Sequence, residues 1–385
     1  MTTAPPSSIP TAEQLNAALS TVIDPEIRRP VTELGMVKSA EVGADGVARV
    51  AIFLTVSGCP MKDTITERVT TAVGALPGVA SVQVELDVMS TEQRQALQTR
   101  LRGDNPVRDI PFAMPGSLTK VFAVASGKGG VGKSSVTVNL AAAMAQKGLN
   151  VGVLDADIYG FSVPRMLGVQ NRPTQVESMI MPPSSHGVRV ISIGMFTKDN
   201  TPVVWRGPML HRALQQFLAD VYWGDLDVLL MDLPPGTGDI AISVAQLVPS
   251  AEILVVTTPQ LASQEVAERA GSIALQTHQR IAGVVENMSY LQCPHCDEQI
   301  DVFGSGGGQA VASSLSQRLG ADVPLLGQIP IDVRLREGGD SGRPLVLSDP
   351  GSAASKALLS VSDRLSGRPR GLVGMSLGLA PAGRG

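Results

Sequence analysis

Cysteine is scarce in this 385-residue chain, with only Cys59, Cys293 and Cys296. Three cysteines exclude a disulfide-stapled scaffold and make reduced thiols the default. Aromatic residues make up 3% of the chain, so any core must be built from Ala, Val, Leu and Ile. No apolar run is long enough to span a bilayer. The segment Met1 to Pro10 lacks a basic flank and an apolar centre, so it does not read as a signal peptide. There is no excess of positive charge: the formal net charge is −4 and the isoelectric point is near 5.7. A general affinity for nucleic acid is therefore not expected. These absences point to a soluble, cytoplasmic protein with neither a nucleic-acid nor a membrane partner. The length suffices for two domains and a sizeable core, and no internal repeat is visible.

Glycine is plentiful, and one cluster of it is informative. Gly127, Lys128, Gly129, Gly130, Val131, Gly132, Lys133 and Ser134, followed by Ser135, match the phosphate-cradling pattern G-x-x-x-x-G-K-[ST]. The apolar run Val121–Ala125 before it reads as a buried strand, and Val136–Lys147, stopped by Gly148, reads as a helix. Strand, glycine loop and helix start place backbone N–H groups and a helix dipole around an anion. In this arrangement Lys133 reaches the β- and γ-phosphates of ATP, and the Ser134 hydroxyl ligates Mg²⁺. Lys128 is a second cation that an ordinary phosphate loop does not need. It resembles the extra lysine in the deviant Walker A loop of dimeric ATPases such as MinD, ParA, ArsA and the nitrogenase iron protein. In that class the lysine contacts phosphate across the dimer, so Lys128 is expected to act on a facing subunit's nucleotide.

Carboxylates follow where a nucleotide site needs them. The apolar segment 150–157 reads as a parallel strand ending in Asp155 and Asp157. Residues two apart on a strand share a face, so both acids are expected at one side of the sheet's C-terminal edge, where open α/β sheets bind ligands. Asp155 is assigned to Mg²⁺ and Asp157 to orienting the attacking water. A second strand, Leu226–Asp232, ends in Asp232, which fits the Walker B role, and the loop Pro234–Asp239 follows as a sensor of the γ-phosphate. Lys128, Lys133, Asp157 and Asp232 form the expected catalytic set.

Cys293 and Cys296 form a C-x-x-C pair in a loop after the strand Ile281–Glu286. Two thiolates can grip a metal, but zinc and iron–sulfur clusters usually take four sulfur ligands. Cys59 lies more than two hundred residues away. Two copies of the chain would supply four sulfurs, so ligand arithmetic also points to a homodimer. Residue chemistry alone leaves an iron–sulfur cluster, a zinc clip and a redox disulfide open.

The order of motifs closes part of this choice. D-A-D-I-Y-G (Asp155 to Gly160), W-R-G-P-M (Trp205 to Met209), D-L-P-P-G-T-G-D (Asp232 to Asp239), T-T-P-Q (Thr257 to Gln260), E-N-M-S (Glu286 to Ser289), C-P-H-C and I-P-I-D (Ile329 to Asp332) follow the glycine loop. Together they resemble the Mrp/Nbp35 family of iron–sulfur cluster carrier P-loop ATPases, also called ApbC or Ind1 types. The resemblance implies a [4Fe–4S] cluster bridged between subunits by Cys293 and Cys296 of each. It also implies adenine contacts from the segments of Asn287 and of Pro330 to Asp332, and apo iron–sulfur proteins and assembly factors as partners. The extra N-terminal four-cysteine motif of the Nbp35 branch is absent, so the chain stands closer to the bacterial Mrp branch. The expected fold is α/β: a mostly parallel P-loop sheet of the MinD (SIMIBI) class flanked by helices, plus a small N-terminal α+β domain. The alternatives are a zinc-bridged, nucleotide-dependent scaffold and a MinD- or ParA-like switch ATPase.

The expected division is residues 8–89 as the small domain, 90–116 as a linker, 117–366 as the ATPase domain and 367–385 as a disordered tail. V-I-D-P-E (Val22 to Glu26) and S-G-C-P (Ser57 to Pro60) resemble the MIP18, or DUF59, family linked to iron–sulfur assembly. Cys59 sits at an expected helix start, where the dipole can lower a thiol pKa; the other reading is a small buried cysteine. The tail contains six glycines, Pro369 and Pro381, which argues against a MinD-type amphipathic membrane helix. A nitrogenase-type reductase is disfavoured because its cluster is held by two widely separated cysteines per chain.

Overall fold

The structure is a computed structural model that describes residues 9–56, 59–102, 109–114, 116–157, 160–196, 207–236, 239–260, 273–293, 295–296 and 298–367. Parts of the motifs at 57–58, 158–159, 205–206, 237–238, 294 and 297, and the tail 368–385, lie outside the described residues.

The N-terminal part begins with the helix Ala12–Ser20, closed by a capping box between Thr11 and Gln14. Strands β1 (Val37–Val42), β2 (Val47–Leu54) and β3 (Ser81–Val88) form one sheet in that order, β1 antiparallel and β3 parallel to β2. The parallel step needs a crossover, and the helix Lys62–Gly74 supplies it with Ile65, Val69 and Val73 turned inward. A further helix, Thr91–Arg102, leads out of this part.

The larger part is built on β4 (Lys120–Ala125), β5 (Val151–Asp155), the short hairpin β6 (Thr174–Val176) and β7 (Met179–Met181), β8 (Ser184–Ser185), β9 (Val188–Ser192), β10 (Val228–Asp232), β11 (Glu252–Thr257), β12 (Ile281–Gln292), β13 (Gln299–Ile300) and β14 (Leu325–Ile331). The main sheet runs β13-β12-β11-β4-β10-β5-β9-β8, and β14 pairs with β12. β4, β5, β9, β10, β11, β12 and β14 are parallel; only the short β8 and β13 run antiparallel. This is the mostly parallel sheet expected from the sequence.

Strand alternation builds two cores. Phe122, Val124, Val151, Val153, Val228 and Leu230 face one side, under the helices Lys133–Gln146 and Ala353–Ser366. Val121, Ala123, Leu154, Leu229 and Met231 face the other, with Leu214 and Leu218 of the helix Gly207–Asp220. Both faces are covered, which is why these strands read as continuous apolar runs.

The N-terminal part packs on the β6–β7 hairpin, which periodicity alone does not reveal. Val176, Met179, Met181 and Tyr222 share a core cluster with Leu15, Leu19 and Leu97. Arg94 pairs with Glu177 at 2.9 Å, and Gln98 Nε2 donates to Ser178 Oγ at 2.8 Å.

Candidate functional site

The glycine loop joins the C-terminal end of β4 to the helix Lys133–Gln146. Gly130 and Gly132 both have φ of +77°, the left-handed region that glycine adopts at least cost. Gly132 is also hemmed in: a Cβ there would stand 2.3 Å from Asn287 Nδ2. Lys133 is 6% exposed and lies 2.8 Å from Asp232 Oδ1 as an ion pair. Apart from Asp232, its ammonium has no acceptor among the described residues. A buried ammonium with donors to spare, at a helix N-terminus behind a glycine cradle, fits an incoming polyphosphate.

Asp232, fully buried, is the hub of the cluster. It accepts from Ser134 Oγ at 2.6 Å and from Thr137 Oγ1 at 2.9 Å. Asp155 stands directly across the β10–β5 register from it. Asp155 accepts from Ser192 Oγ at 3.1 Å and from the Asp157 backbone N–H at 3.2 Å. Burial, and then the neighbouring Asp232, push the Asp155 carboxyl up to about 8. Two acids facing each other in a buried pocket favour a cation between them, and Ser134, Asp232 and Asp155 are the donors that fit Mg²⁺.

One expectation is corrected. Asp155 and Asp157 do not share a strand face, because β5 ends at Asp155 and the Asp155 carboxylate captures the Asp157 N–H and turns the chain. Asp157 sits in the loop that follows, where an added Cβ on Gly160 would lie 3.6 Å from its carboxylate. Thr137, absent from the expected set, joins through helical spacing, three residues beyond Ser134 on the same face.

Lys128 Nζ donates to Gln260 Oε1 within the chain, so its ammonium is held at the loop after β11. Asn287 is 2% exposed and donates from Nδ2 to Val131 O at 2.9 Å, which ties its amide to the phosphate loop. Pro330 is buried on β14. Asp332 caps the helix Val333–Ser341 by accepting from Arg334 N at 3.0 Å, and it pairs with the Arg334 guanidinium at 2.8 Å. The side chains of Asn287 and Asp332 are thus engaged with protein groups.

The C-x-x-C pair lies at the far end of β12. Leu291 pairs with Ile300 and Gln292 with Gln299, and Cys293 N donates to Glu298 O at 2.9 Å, continuing that antiparallel pairing. Cys293 is half-buried and Cys296 exposed, and they are not joined in a disulfide. Among the described residues no three His, Cys, Asp or Glu side chains converge as a metal site. Ile300, Val302 and Phe303, next along the chain, are exposed at 46%, 48% and 39%. Cys59 departs from the activated-thiol expectation. It is 5% exposed, and burial pushes its thiol up to about 11 despite the Met61 N–H beside it.

Residues 117–366 match the family profile described as the NUBPL iron-transfer P-loop NTPase, and residues 12–86 match that of an iron–sulfur cluster assembly protein. The chain belongs to the iron-transfer P-loop NTPase family. The iron–sulfur cluster carrier protein of Mycobacterium tuberculosis strain H37Rv is 69% identical over 374 residues, covering 96% of this chain and 98% of that one. The protein of the same description from Synechocystis is 40% identical, covering 93% of this chain and 98% of its own. A solved nucleotide-binding protein from Archaeoglobus fulgidus, in complex with ADP, superposes with a TM-score of 0.50 at 37% identity, over 58% of this chain and 86% of that chain. Among the described residues no helix is long and apolar enough to cross a membrane.

Proposed function

We propose that this chain is a cytoplasmic, homodimeric, ATP-hydrolysing carrier that binds a [4Fe–4S] cluster between two subunits and delivers it to apo-proteins. The observation that carries this reading is an incomplete donor set. Two thiols stand at an accessible hairpin with no third ligand among the described residues, beside an exposed apolar strip. A second copy of the chain brings the other two thiolates and covers that strip. The carrier descriptions of the mycobacterial and cyanobacterial relatives support the choice of cargo.

In the nucleotide site Lys133 binds the β- and γ-phosphates and Ser134, Asp232 and Asp155 hold Mg²⁺. Bound Mg²⁺ supplies charge neutralisation on the phosphate oxygens. Asp157, in the loop past β5, orients the attacking water. The glycine-loop N–H groups from Gly127 to Ser135 fix the phosphates, and Lys128 leaves Gln260 to reach the facing subunit's nucleotide.

Anaerobic purification and reconstitution test the cargo. Iron and acid-labile sulfide are expected near four of each per two chains, following the stoichiometry of about one four-iron cluster per four thiolates. Cys293→Ala or Cys296→Ala leaves two thiolates per dimer and loses the iron while nucleotide binding persists. Iron content unchanged in Cys293→Ala would sink the bridging site. Stoichiometric zinc in the wild type, with no iron after reconstitution, would favour the zinc-bridged scaffold.

A further inference from the structure

One strand serves both sites, and it is irregular between them. β12 touches the phosphate loop at Asn287, whose Nδ2 donates to Val131 O at 2.9 Å. The next residue, Met288, follows the same surface, its Cε 3.7 Å from where a Cβ on Gly132 would stand. Five residues later the strand has become the hairpin that carries Cys293.

Between these points the pairing with β14 slips. Asn287 is opposite Ile329 and Leu291 is opposite Ile331, so β12 spends four steps where β14 spends two. The excess is absorbed by Met288, which takes a left-handed φ of +57°. An unbranched, half-buried methionine gains nothing from that conformation, so the surroundings impose it. Ser289, 3% exposed, closes the bulge by donating from Oγ back to Glu286 O at 3.0 Å. Glu286 is itself anchored, accepting from Gln328 Nε2 at 2.8 Å and from the Gly308 N–H. The strand before the bulge is thus fixed at Glu286, and the strand after it is held by the pairs of Leu291 and Gln292, so a change in length falls on Met288 to Tyr290.

We infer that this bulge, Met288 to Tyr290, is the mechanical link by which nucleotide in the phosphate loop sets the position of the C-x-x-C thiols. A phosphate that orders Val131 and Gly132 pulls on Asn287 and Met288 directly. If Met288 relaxes to extended backbone, the residues beyond it advance along the strand by up to roughly 3 Å per residue released. That movement reaches Cys293 through the Leu291–Ile300 and Gln292–Gln299 pairs. The coupling requires that the bulge switch between two discrete arrangements and that both sites bias it. By linkage, whatever holds the thiols must in turn alter nucleotide affinity. The use of this link in cluster hand-over rests on the carrier reading; the link itself is a property of the strand.

The experiment uses the full-length, cluster-free protein in a Cys59→Ala background, so that alkylation reads only Cys293 and Cys296. Alkylation rates are measured without nucleotide and with saturating Mg²⁺–ATP or Mg²⁺–ADP, the concentration being set from each variant's own Kd. In the otherwise unaltered chain nucleotide is expected to change the rate by about fivefold or more, within the usual span of coupling between sites. Met288→Gly removes the strain that drives the bulge toward extended backbone, and Ser289→Ala removes its closing bond. Each is expected to bring the ratio to within about twofold of unity while nucleotide still binds. Lys128→Ala is expected to keep the ratio, because the link lies within one chain. A chain with no nucleotide effect on its thiols, or an effect undiminished in both bulge variants, would overturn the inference. So would an effect lost in Lys128→Ala but kept in the bulge variants, which would place it in subunit pairing. If the protein proves to carry no cluster, the alkylation ratio still reports the link, so the two failures are seen separately.

Discussion

Asp155, Asp232 and Lys133 meet in a space from which water is largely excluded. Asp232 pairs with the Lys133 ammonium, and burial beside Asp232 holds a proton on Asp155. A divalent cation such as Mg²⁺ would displace that proton and gain a second carboxylate ligand. The same physics governs a second acidic cluster, in the N-terminal part. Asp24 is 4% exposed and accepts from the Glu26 and Ile27 N–H groups, and its carboxyl is nonetheless raised by burial. Burial, and then the charge of Asp24, push Glu26 up to about 7 from 4.5. Cys59 is close enough to feel both acids, and Arg68 is the cation facing Asp24. A carboxyl whose folded pKa is raised binds its proton more tightly folded than unfolded. Its contribution is therefore most favourable below about pH 4.5 and is lost as pH rises toward and through about 7. Glu26→Gln should abolish this downward drift. Thermal unfolding of the two proteins between pH 5 and pH 8 checks it: the midpoint of the wild type falls relative to the variant as pH rises. Parallel curves would mean that Glu26 is already solvated.

At the scale of elements, Gly132 separates two costs that are usually confounded. Alanine at Gly130 or at Gly132 pays the same left-handed penalty, since both have φ of +77°. At Gly130 the added Cβ meets nothing within 4 Å, whereas at Gly132 it meets Asn287 Nδ2 at 2.3 Å and must break the bond to Val131 O. Gly132→Ala should therefore lower the unfolding midpoint of the nucleotide-free protein further than Gly130→Ala does. The difference is on the order of 1–3 kcal/mol for a buried donor left unmade, or roughly 2–10 °C for a domain of this size. Equal midpoints would show that the Asn287 contact contributes nothing. The glycine loop, its flanking strand and helix, and Asp232 at the end of β10 were all legible in the sequence. Each is a local pattern, an apolar run closed by glycine or acid, and buried parallel strands preserve such patterns. What could not be read depends on pairing between distant segments. The bond from Asn287 to Val131 spans 156 residues, and the bulge in β12 exists only relative to β14. Asp157 was misplaced for a local reason: strand parity was carried one turn too far, past the point where the Asp155 side chain ends the strand.

Across the whole molecule the open question is which chain each lysine serves. Lys133 is buried in its own site, while Lys128 in the single chain is tied to Gln260. A neutral amide offers the ammonium only a dipole, whereas a phosphate offers a full opposite charge, so the exchange favours phosphate. Lys133→Ala should lose at least ~10²-fold in ATP turnover, the range for removal of one electrostatic stabiliser. Lys128→Ala should bind ATP but hydrolyse it poorly. Mixed at equal concentration, the two defective proteins complement each other if Lys128 acts across the dimer. In a mixed pair the Lys128→Ala subunit holds the nucleotide with its intact Lys133, and the Lys133→Ala subunit contributes Lys128 from the other side. Random pairing makes half the dimers mixed, with one competent site in two, so turnover should recover to about a quarter of the wild-type value. Recovery should also disappear on dilution, because the site is complete only while the pair persists. If the mixture is no more active than the sum of its parts at any concentration, Lys128 serves its own chain, and the exposed strip beside Cys296 needs an occupant other than a second copy.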